Sequence, residues 1–336
     1  MKENNNNINN NATNNNNFNN NEGGIVMTTG TMTMDVFAGT VKEALSVYFE
    51  DCTIQLQEVT KNNGRILHGI SIREKDSNIA PTIYLEAFFE QYQNGRDFVD
   101  IVKELAKVYE AHRVPNCFGF DAGMITDYSR AKDSICFKVV NTERNTELLS
   151  DVPSIPFCDL SVIFYIKMPK MDGQEASVTI HNSLMDSWDV DTETLFEVAK
   201  YNTQRLMPGN VRSMESVLPG LFYDEPGDFL SSEFDDIRPA SEMGMYVATN
   251  RAKLHGAAVL LYDSLLSGFA DRIGADFYIL PSSIHELIFL PDTDMMDPIA
   301  LKDMVMAVNS SEVMPEEVLS DNVYHYSRAT GLVEIA

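Results

Sequence analysis

The sequence predicts an α+β protein in which mixed or antiparallel sheets are covered by helices. Two alternating segments joined by Asn63-Gly64 indicate a β-hairpin. A continuous apolar run at 157–166, bounded by prolines, is typical of a strand buried on both faces. Apolar residues recur at helical spacing over 254–273, which indicates a buried helix. The chain therefore combines both kinds of element.

The chain length sets the number of domains that we expect. With 336 residues, 44% of them hydrophobic, the chain can bury one large core or two to three ordinary ones. We divide it into a disordered Asn-rich tail at 1–34, an N-terminal α+β unit at 35–150, a central strand-strand-helix segment at 151–218, an acidic surface loop at 219–242 and a C-terminal β-α-β-β-α-β unit at 243–336.

The charge balance argues against two classes of partner. The chain has 25 basic and 50 acidic residues, a net charge of -25, so nucleic acid and anionic membranes are repelled. It has no apolar run of about 18 residues and no signal-peptide pattern, so we expect a cytoplasmic protein that does not enter a membrane. The 4 cysteines form no C-x-x-C pair, which favours reduced thiols.

The low-complexity N-terminus is the first segment along the chain. Residues 4–21 are almost all asparagine and have little to bury, so we predict disorder. The tract is either a self-associating tail or a dispensable expansion. A misplaced start codon would also explain it, with Met27, Met32 or Met34 as the true start.

The N-terminal unit begins with a helix of about 15 residues from near Asp35. The hairpin strands follow at 53–60 and 65–73, and two further helices at 85–92 and 97–111. Residues 127–149 favour a helix, although 136–140 is also compatible with a strand.

The central segment contains the apolar strand at 157–166, a second strand at 175–180 and a helix capped by Asp191. Trp188 precedes this helix and is either an interface anchor or a core residue, and we favour the core. The acidic loop at 219–242 is either a lid or partner-binding loop or a solvated connection.

The C-terminal unit is expected to start with a strand at 245–249 and one long helix at 250–273, ended by Gly274. The remaining predicted elements are strands at 276–280 and 284–290, a helix at 298–308, and strands at 322–326 and 332–335. This order predicts a split β-α-β, or ferredoxin-like, arrangement with both helices on one face of an antiparallel sheet.

Ser283 and His285 are the first candidate catalytic residues. An extended backbone would place both on one face and Glu286 on the other, so Glu286 cannot complete a local triad. Flanking glycines of a nucleophile elbow are absent, and Phe289 stands where a zinc-protease motif needs its second histidine. The site remains a candidate only if an acid or base comes from elsewhere.

His181 and Asn182 are further catalytic candidates, since they could converge with Ser283 and His285 from another strand. Asp292, Asp294 and Asp297 form an acidic loop that could bind Ca²⁺ or Mg²⁺, but the loop lacks the glycine and glutamate of an EF-hand. No nucleotide-binding glycine motif is present, so we predict no cofactor.

Several segments together resemble an uncharacterised bacterial domain-of-unknown-function family, number 5688. The resemblance rests on His68-Gly69-Ile70, residues 77–85 and 141–145, Val152-Pro153, Asp159-Leu160, residues 179–182, Asn202-Thr203, Met207-Pro208 and residues 280–286. It covers the chain from about Asp35 to the C-terminus and implies a bacterial, cytosolic protein. It implies no activity, cofactor or partner.

The sequence therefore leaves two functions open. A non-enzymatic binding or regulatory protein is favoured, because no complete catalytic set is present and the acidic loop suits a basic protein partner. The alternative is a hydrolase or acid-base enzyme whose polar residues converge near Ser283 and His285.

Overall fold

The computed structural model describes residues 32–75, 80–112, 121, 123–171, 174–217, 233–242, 244–293 and 296–336. Within these ranges the chain forms sheets of three, four and seven strands, against which helices pack. The protein is therefore α+β, as the sequence predicts. Most of the predicted Asn-rich tail, at 1–31, and much of the predicted acidic loop, at 218–232, lie outside the described residues.

The first sheet confirms the predicted hairpin. Its strands, in spatial order, are β1 (Cys52–Thr60), β2 (Ile66–Glu74) and β3 (Thr82–Tyr84). The helices are α1 (Met34–Tyr48), α2 (Glu86–Gln93) and α3 (Phe98–His112). Asn63 and Gly64 turn the chain between β1 and β2 with φ of 60° and 65°. Phe37, Leu45 and Leu105 are fully buried in the core between helices and sheet.

The second sheet is built around a long central strand. Its strands are β4 (Ile135–Asn141), β5 (Ser154–Phe157), β6 (Leu160–Met171) and β7 (Gln174–Thr179). β4 pairs with one edge of β6, whereas β5 and β7 pair with successive parts of the other edge. The predicted strand at 157–166 is thus confirmed as central, although the chain turns at Cys158-Asp159 before it enters β6.

The predicted helix over 127–149 is wrong, and the alternative strand at 136–140 is confirmed. The chain there forms α4 (Gly123–Thr126), α5 (Tyr128–Ala131), a 3₁₀ helix (Lys132–Ser134), β4, a second 3₁₀ helix (Glu143–Asn145) and α6 (Thr146–Leu149). Because β4 is covered on both faces, its apolar residues do not alternate with polar ones, and their pattern resembles a helical stripe.

Two helices follow the second sheet, and the sequence predicted only the second of them. They are α7 (Asn182–Trp188) and α8 (Thr192–Leu206). The Asp191 carboxylate accepts a hydrogen bond of 2.8 Å from the Thr194 backbone N–H, which caps α8. Trp188 is buried, and its indole N–H donates to the Thr126 carbonyl, so it is a core residue.

The third sheet contains the strands of the predicted C-terminal unit and two strands that precede it. Its strands are β8 (Gly209–Ser213), β9 (Phe234–Asp235), β10 (Tyr246–Asn250), β11 (Phe277–Pro281), β12 (Leu287–Pro291), β13 (Tyr324–Ser327) and β14 (Leu332–Ile335), and its helices are α9 (Asp263–Ile273) and α10 (Pro298–Ser311). The spatial order is β14-β13-β11-β12-β10-β8-β9, antiparallel except for β8 and β9.

The predicted split β-α-β arrangement is present, but its helices lie on opposite faces of the sheet. β10 and β11 run parallel on either side of β12. Helix α9 packs on the face that carries Phe277 and Phe289, whereas α10 packs on the face that carries Tyr278 and Leu280. The crossovers β10-α9-β11 and β12-α10-β13 both move across the sheet in the same direction, but β10 and β12 are antiparallel. Right-handed connections therefore place the two helices on opposite faces.

Two further predictions in this unit are wrong. The expected long helix at 250–273 is interrupted, because Lys253 and His255 both adopt a φ of 51° and only a 3₁₀ helix (Gly256–Leu261) precedes α9. The expected strand at 284–290 begins at Leu287 instead, so residues 282–286 form the connection between β11 and β12. The 3₁₀ helix packs against both β10 and β4, which joins the second and third sheets in one core.

Candidate functional site

A group of basic side chains collects where elements of all three sheets come together. It comprises Lys61 from the turn after β1, Lys138 from β4, and His255 and His285 from connections of the third sheet. We call these four residues the basic cluster. Tyr165 of β6 lies beside Lys138 and His255.

Lys138 interrupts an otherwise buried strand. Every other residue of β4 is buried, and Lys138 is half-buried on the strand face that also carries Cys136 and Val140. Its Nζ lies 6.0 Å from the centroid of the Tyr165 ring. Within the described ranges, no carboxylate lies within 4.0 Å of this amine. Burial and the neighbouring Lys61 cation lower the pKa of Lys138 to about 8.

Lys61 is held next to Lys138 by an anchored turn. The Asn62 side-chain amide donates to the Glu316 carbonyl at 2.8 Å, and the Asn63 backbone N–H donates to the Asn145 side-chain oxygen at 2.8 Å. The Lys61 Nζ lies 4.3 Å above the Tyr84 ring. No carboxylate in the described chain pairs with it, so two neighbouring cations share this region without an acidic partner.

The two histidines of the cluster are stacked on each other. Their ring centroids are 6.0 Å apart, with an angle of 11° between the planes. The His255 backbone N–H donates to His285 Nδ1 at 3.2 Å, so a neutral His285 carries its proton on Nε2, which lies 3.9 Å from a Glu317 carboxylate oxygen. Burial, then the charges of Lys138 and His285, lower the pKa of His255 to about 3, so this ring is neutral.

Ser283 lies near His285 but is engaged with the backbone. Its hydroxyl accepts a hydrogen bond of 3.0 Å from the His285 backbone N–H, and its own N–H donates to the Glu286 carbonyl. The extended geometry expected for these residues is therefore wrong, because a serine-stabilised turn replaces it. A catalytic role for Ser283 stays a prediction.

His181 and Asn182 occupy a different neighbourhood. His181 Nδ1 lies 2.8 Å from an Asp151 carboxylate oxygen, and the Asn182 amide donates to the Ser150 carbonyl at 3.5 Å. No hydrogen bond, ion pair or ring contact between described residues joins either of them to Ser283 or His285.

The three aspartates proposed as metal ligands have separate roles where the structure describes them. Asp292 lies 3.1 Å from His325 Nε2, and Asp297 caps α10 by accepting from the Ile299 N–H. Asp294 lies outside the described residues. In the described ranges, no three His, Cys, Asp or Glu side chains are grouped so that they could hold a metal ion.

Cys52, Cys136 and Cys158 are free thiols. Burial raises the pKa of Cys136 to about 11, and burial also raises that of Cys158. Cys117 lies outside the described residues. These environments do not favour a nucleophilic thiolate.

A pocket of about 310 Å³ lies at the end of strands β10 and β12 that is opposite to His255 and His285. Its lining includes Glu215, Arg238, Tyr246, Thr293 and Met296. The Arg238 guanidinium lies 3.3 Å from the Glu215 carboxylate, so these charges neutralise each other. This pocket therefore lacks the unbalanced charge that distinguishes the basic cluster.

The sequence carried one overlooked signal for the cluster. Lys138 is the single charged residue in the apolar run 135–140, and a charge inside a buried strand is costly unless it has a partner or a function. Its convergence with Lys61 and His255 depends on tertiary contacts that residue spacing does not reveal.

Comparison with known proteins supports the resemblance found in the sequence. Residues 34–328 match the family described as a family of unknown function, DUF5688. No curated protein and no solved structure matches the chain. None of the described helices has the length and apolar character needed to cross a bilayer. Because the match covers most of the sequence, the chain belongs to the family of unknown function DUF5688.

Proposed function

We propose that this chain is a non-enzymatic binding protein whose ligand is a small anion, a carboxylate or a phosphate, held at the basic cluster. The observation that carries the proposal is Lys138, a half-buried amine without an acidic partner among the described residues. The chain has 50 acidic residues against 25 basic ones, so acidic partners are plentiful elsewhere. An anionic ligand would supply the missing counter-charge.

The energetics favour a function for this arrangement. Moving an ammonium group out of water costs several kcal/mol unless a partner compensates. Lys61, a second cation, adds repulsion to that cost. Two neighbouring cations therefore destabilise the protein without its ligand, and a bound anion would reduce this cost. Local destabilisation of this kind is typical of a binding site.

The cluster offers suitable donors and an opening to solvent. The His285 side chain is 32% exposed, so a solute can reach this side of the cluster. Its Nε2–H and the two ammonium groups can donate charge-assisted hydrogen bonds to an anion. Among the described residues, the only carboxylate within 4.0 Å of a cluster side chain is that of Glu317, at 3.9 Å from His285.

The enzymatic alternative near Ser283 and His285 has weaker support. The Ser283 hydroxyl accepts from a backbone N–H, and no acid orients the His285 ring at a hydrogen-bonding distance within the described chain. Binding through Lys138 and Lys61 needs none of these alignments, so it is the better-supported function.

A cytoplasmic, bacterial setting and a basic protein partner for the loop at 219–242 complete the proposal. The net charge of -25 supports a basic partner. Deleting residues 222–232, which leaves β9 in place, tests this part. Unchanged recovery of every partner from a native lysate would contradict the loop's role.

Isothermal titration calorimetry with inorganic phosphate and with acetate tests the anion site. We expect Lys138→Met and Lys61→Met each to weaken binding by about tenfold or more, which corresponds to about 1.4 kcal/mol. Lys302→Met is the matched control, because Lys302 is exposed and its amine donates to Asn322. Equal affinities in all four proteins, or no binding of either anion to the wild type, would overturn the proposal.

A further inference from the structure

We infer that Lys138 forms a reversible imine with a small oxo acid, a molecule that carries both a carbonyl group and a carboxylate. This inference rests on the anion site proposed above and names the class of ligand that the site takes. It treats Lys138 as a nucleophile and Lys61 as the group that holds the carboxylate.

The surroundings of Lys138 suit a nucleophilic amine. On its strand face it lies between two apolar groups, one formed by Cys136, Tyr165 and Met207 and the other by Val140, Val152 and Ile163. No hydrogen bond in the described structure engages the amine. An amine in apolar surroundings beside another cation is the arrangement that activates lysine for attack on a carbonyl.

The division of roles follows from the two lysines. The turn at Asn62–Gly64 packs against β4, which brings Lys61 near Lys138, yet the Lys61 amine lies separately over the Tyr84 ring. A ligand with one anionic group and one electrophilic carbon can therefore use both amines at once. A simple anion such as phosphate would use only their charges.

The reaction is a condensation whose atoms balance without an oxidant or reductant. The Nζ lone pair attacks the carbonyl carbon, and the carbonyl oxygen takes a proton to give a carbinolamine. The carbinolamine then loses one molecule of water, and the C=N bond forms. This water contains the former carbonyl oxygen and the two hydrogens of the amine. Hydrolysis reverses these steps, so the bond is reversible until it is reduced.

Reductive trapping of the full-length protein tests the inference. The protein is incubated with glyoxylate and sodium cyanoborohydride at pH 7.5, and labelled lysines are mapped by peptide mass spectrometry. With a pKa of about 8, Lys138 has far more free amine at this pH than an ordinary lysine. We expect Lys138 to be labelled on the order of tenfold faster than Lys302. Labelling of Lys138 no faster than Lys302 would overturn the imine.

Two variants keep this test interpretable. Lys138→Arg keeps the positive charge, so it should still bind phosphate. Because the arginine side chain stays charged, the rapid gain in intact protein mass on labelling should disappear. Lys61→Gln keeps Lys138 but removes the neighbouring cation, so labelling of Lys138 should slow several-fold at pH 7.5. An unchanged rate in Lys61→Gln would contradict the role of Lys61.

The experiment also separates this inference from the proposed function. Phosphate binding to the wild type without selective labelling of Lys138 would leave the anion site standing and remove the imine. A different outcome would contradict the anion site. Lys138 would be labelled selectively, phosphate would not slow the labelling, and phosphate would not bind measurably. That outcome would support a reactive lysine alone.

Discussion

Lys138 breaks the usual composition of a buried strand, and the proposed anion site offers a functional reason. A strand buried on both faces normally contains only apolar side chains, and β4 follows this pattern except at Lys138. A natural sequence keeps such a conflict where function compensates for its cost. The lysine was visible in the sequence, but only the folded chain showed that no acid among the described residues pairs with it.

The neutral His255 ring should make the protein sensitive to acid. Its pKa of about 3 lies below the ordinary value of about 6.5. As the pH falls from 6.5 toward 3, the unfolded chain takes up a proton that the folded chain does not, so folded-state stability falls by up to about 1.4 kcal/mol per pH unit.

His255→Asn tests this effect, because asparagine also tolerates the left-handed backbone that His255 adopts. Urea unfolding between pH 6 and pH 4 should show a smaller loss of stability in the variant than in the wild type. The titratable neighbours Lys138 and His285, and Glu317 beyond them, remain in both proteins. His112→Asn on the exposed end of α3 is the control, and equal slopes in all three proteins would contradict the account.

At the scale of elements, regular segments were predictable and interrupted ones were not. Helices α1, α3 and α8 have caps or continuous apolar stripes, and their predicted bounds are close to those observed. β4 was ambiguous because burial on both faces removes the alternation that marks a strand. The break before α9 lies at Lys253 and His255, whose positive φ angles no periodicity records.

Gly256 should be intolerant of any side chain. A Cβ atom there would lie 2.1 Å from the His285 carbonyl oxygen and 2.1 Å from the Thr249 hydroxyl oxygen. These two atoms are hydrogen-bonded to each other at 2.7 Å, so neither can move freely. We expect Gly256→Ala to lower the free energy of unfolding by about 3 kcal/mol.

The same substitution in an open position provides the control. Gly39 lies in α1 with no atom within 4 Å of a built Cβ, so Gly39→Ala should raise stability by up to about 1 kcal/mol. Chemical denaturation of both variants checks the pair. Equal effects of the two substitutions would show that the close contact at Gly256 is not important.

At the scale of the whole molecule, polar contacts join elements that are distant in sequence. The Asp159 carboxylate, in the turn before β6, accepts hydrogen bonds from Ser320, Asn322 and Tyr324 at 2.6, 3.0 and 2.7 Å. These residues lead into or belong to β13 of the third sheet. Residue spacing does not reveal this joint, because Asp159 is far along the chain from its partners.

Asp159→Ala should weaken this joint strongly. It would leave the Tyr324 and Ser320 hydroxyls, which belong to fully buried residues, without their acceptor. Removing one partner from a buried charged network costs about 3–5 kcal/mol. Thermal and urea unfolding measure the loss. Asp133→Ala, at an exposed site, should change stability by less than about 0.5 kcal/mol, and a similar small change in Asp159→Ala would refute the joint.

The basic cluster joins elements of all three sheets, and its positive charge is opposite to the net charge of the molecule. The central claim is that Lys138 is an amine without a protein counter-charge that an anion can neutralise. NMR titration of the lysine side chains, with Lys138→Met to assign the signal, measures this directly. We predict a pKa for Lys138 of about 8 that rises when inorganic phosphate is added, because the anion favours the charged amine. An ordinary lysine value near 10.4 that phosphate does not change would contradict the account.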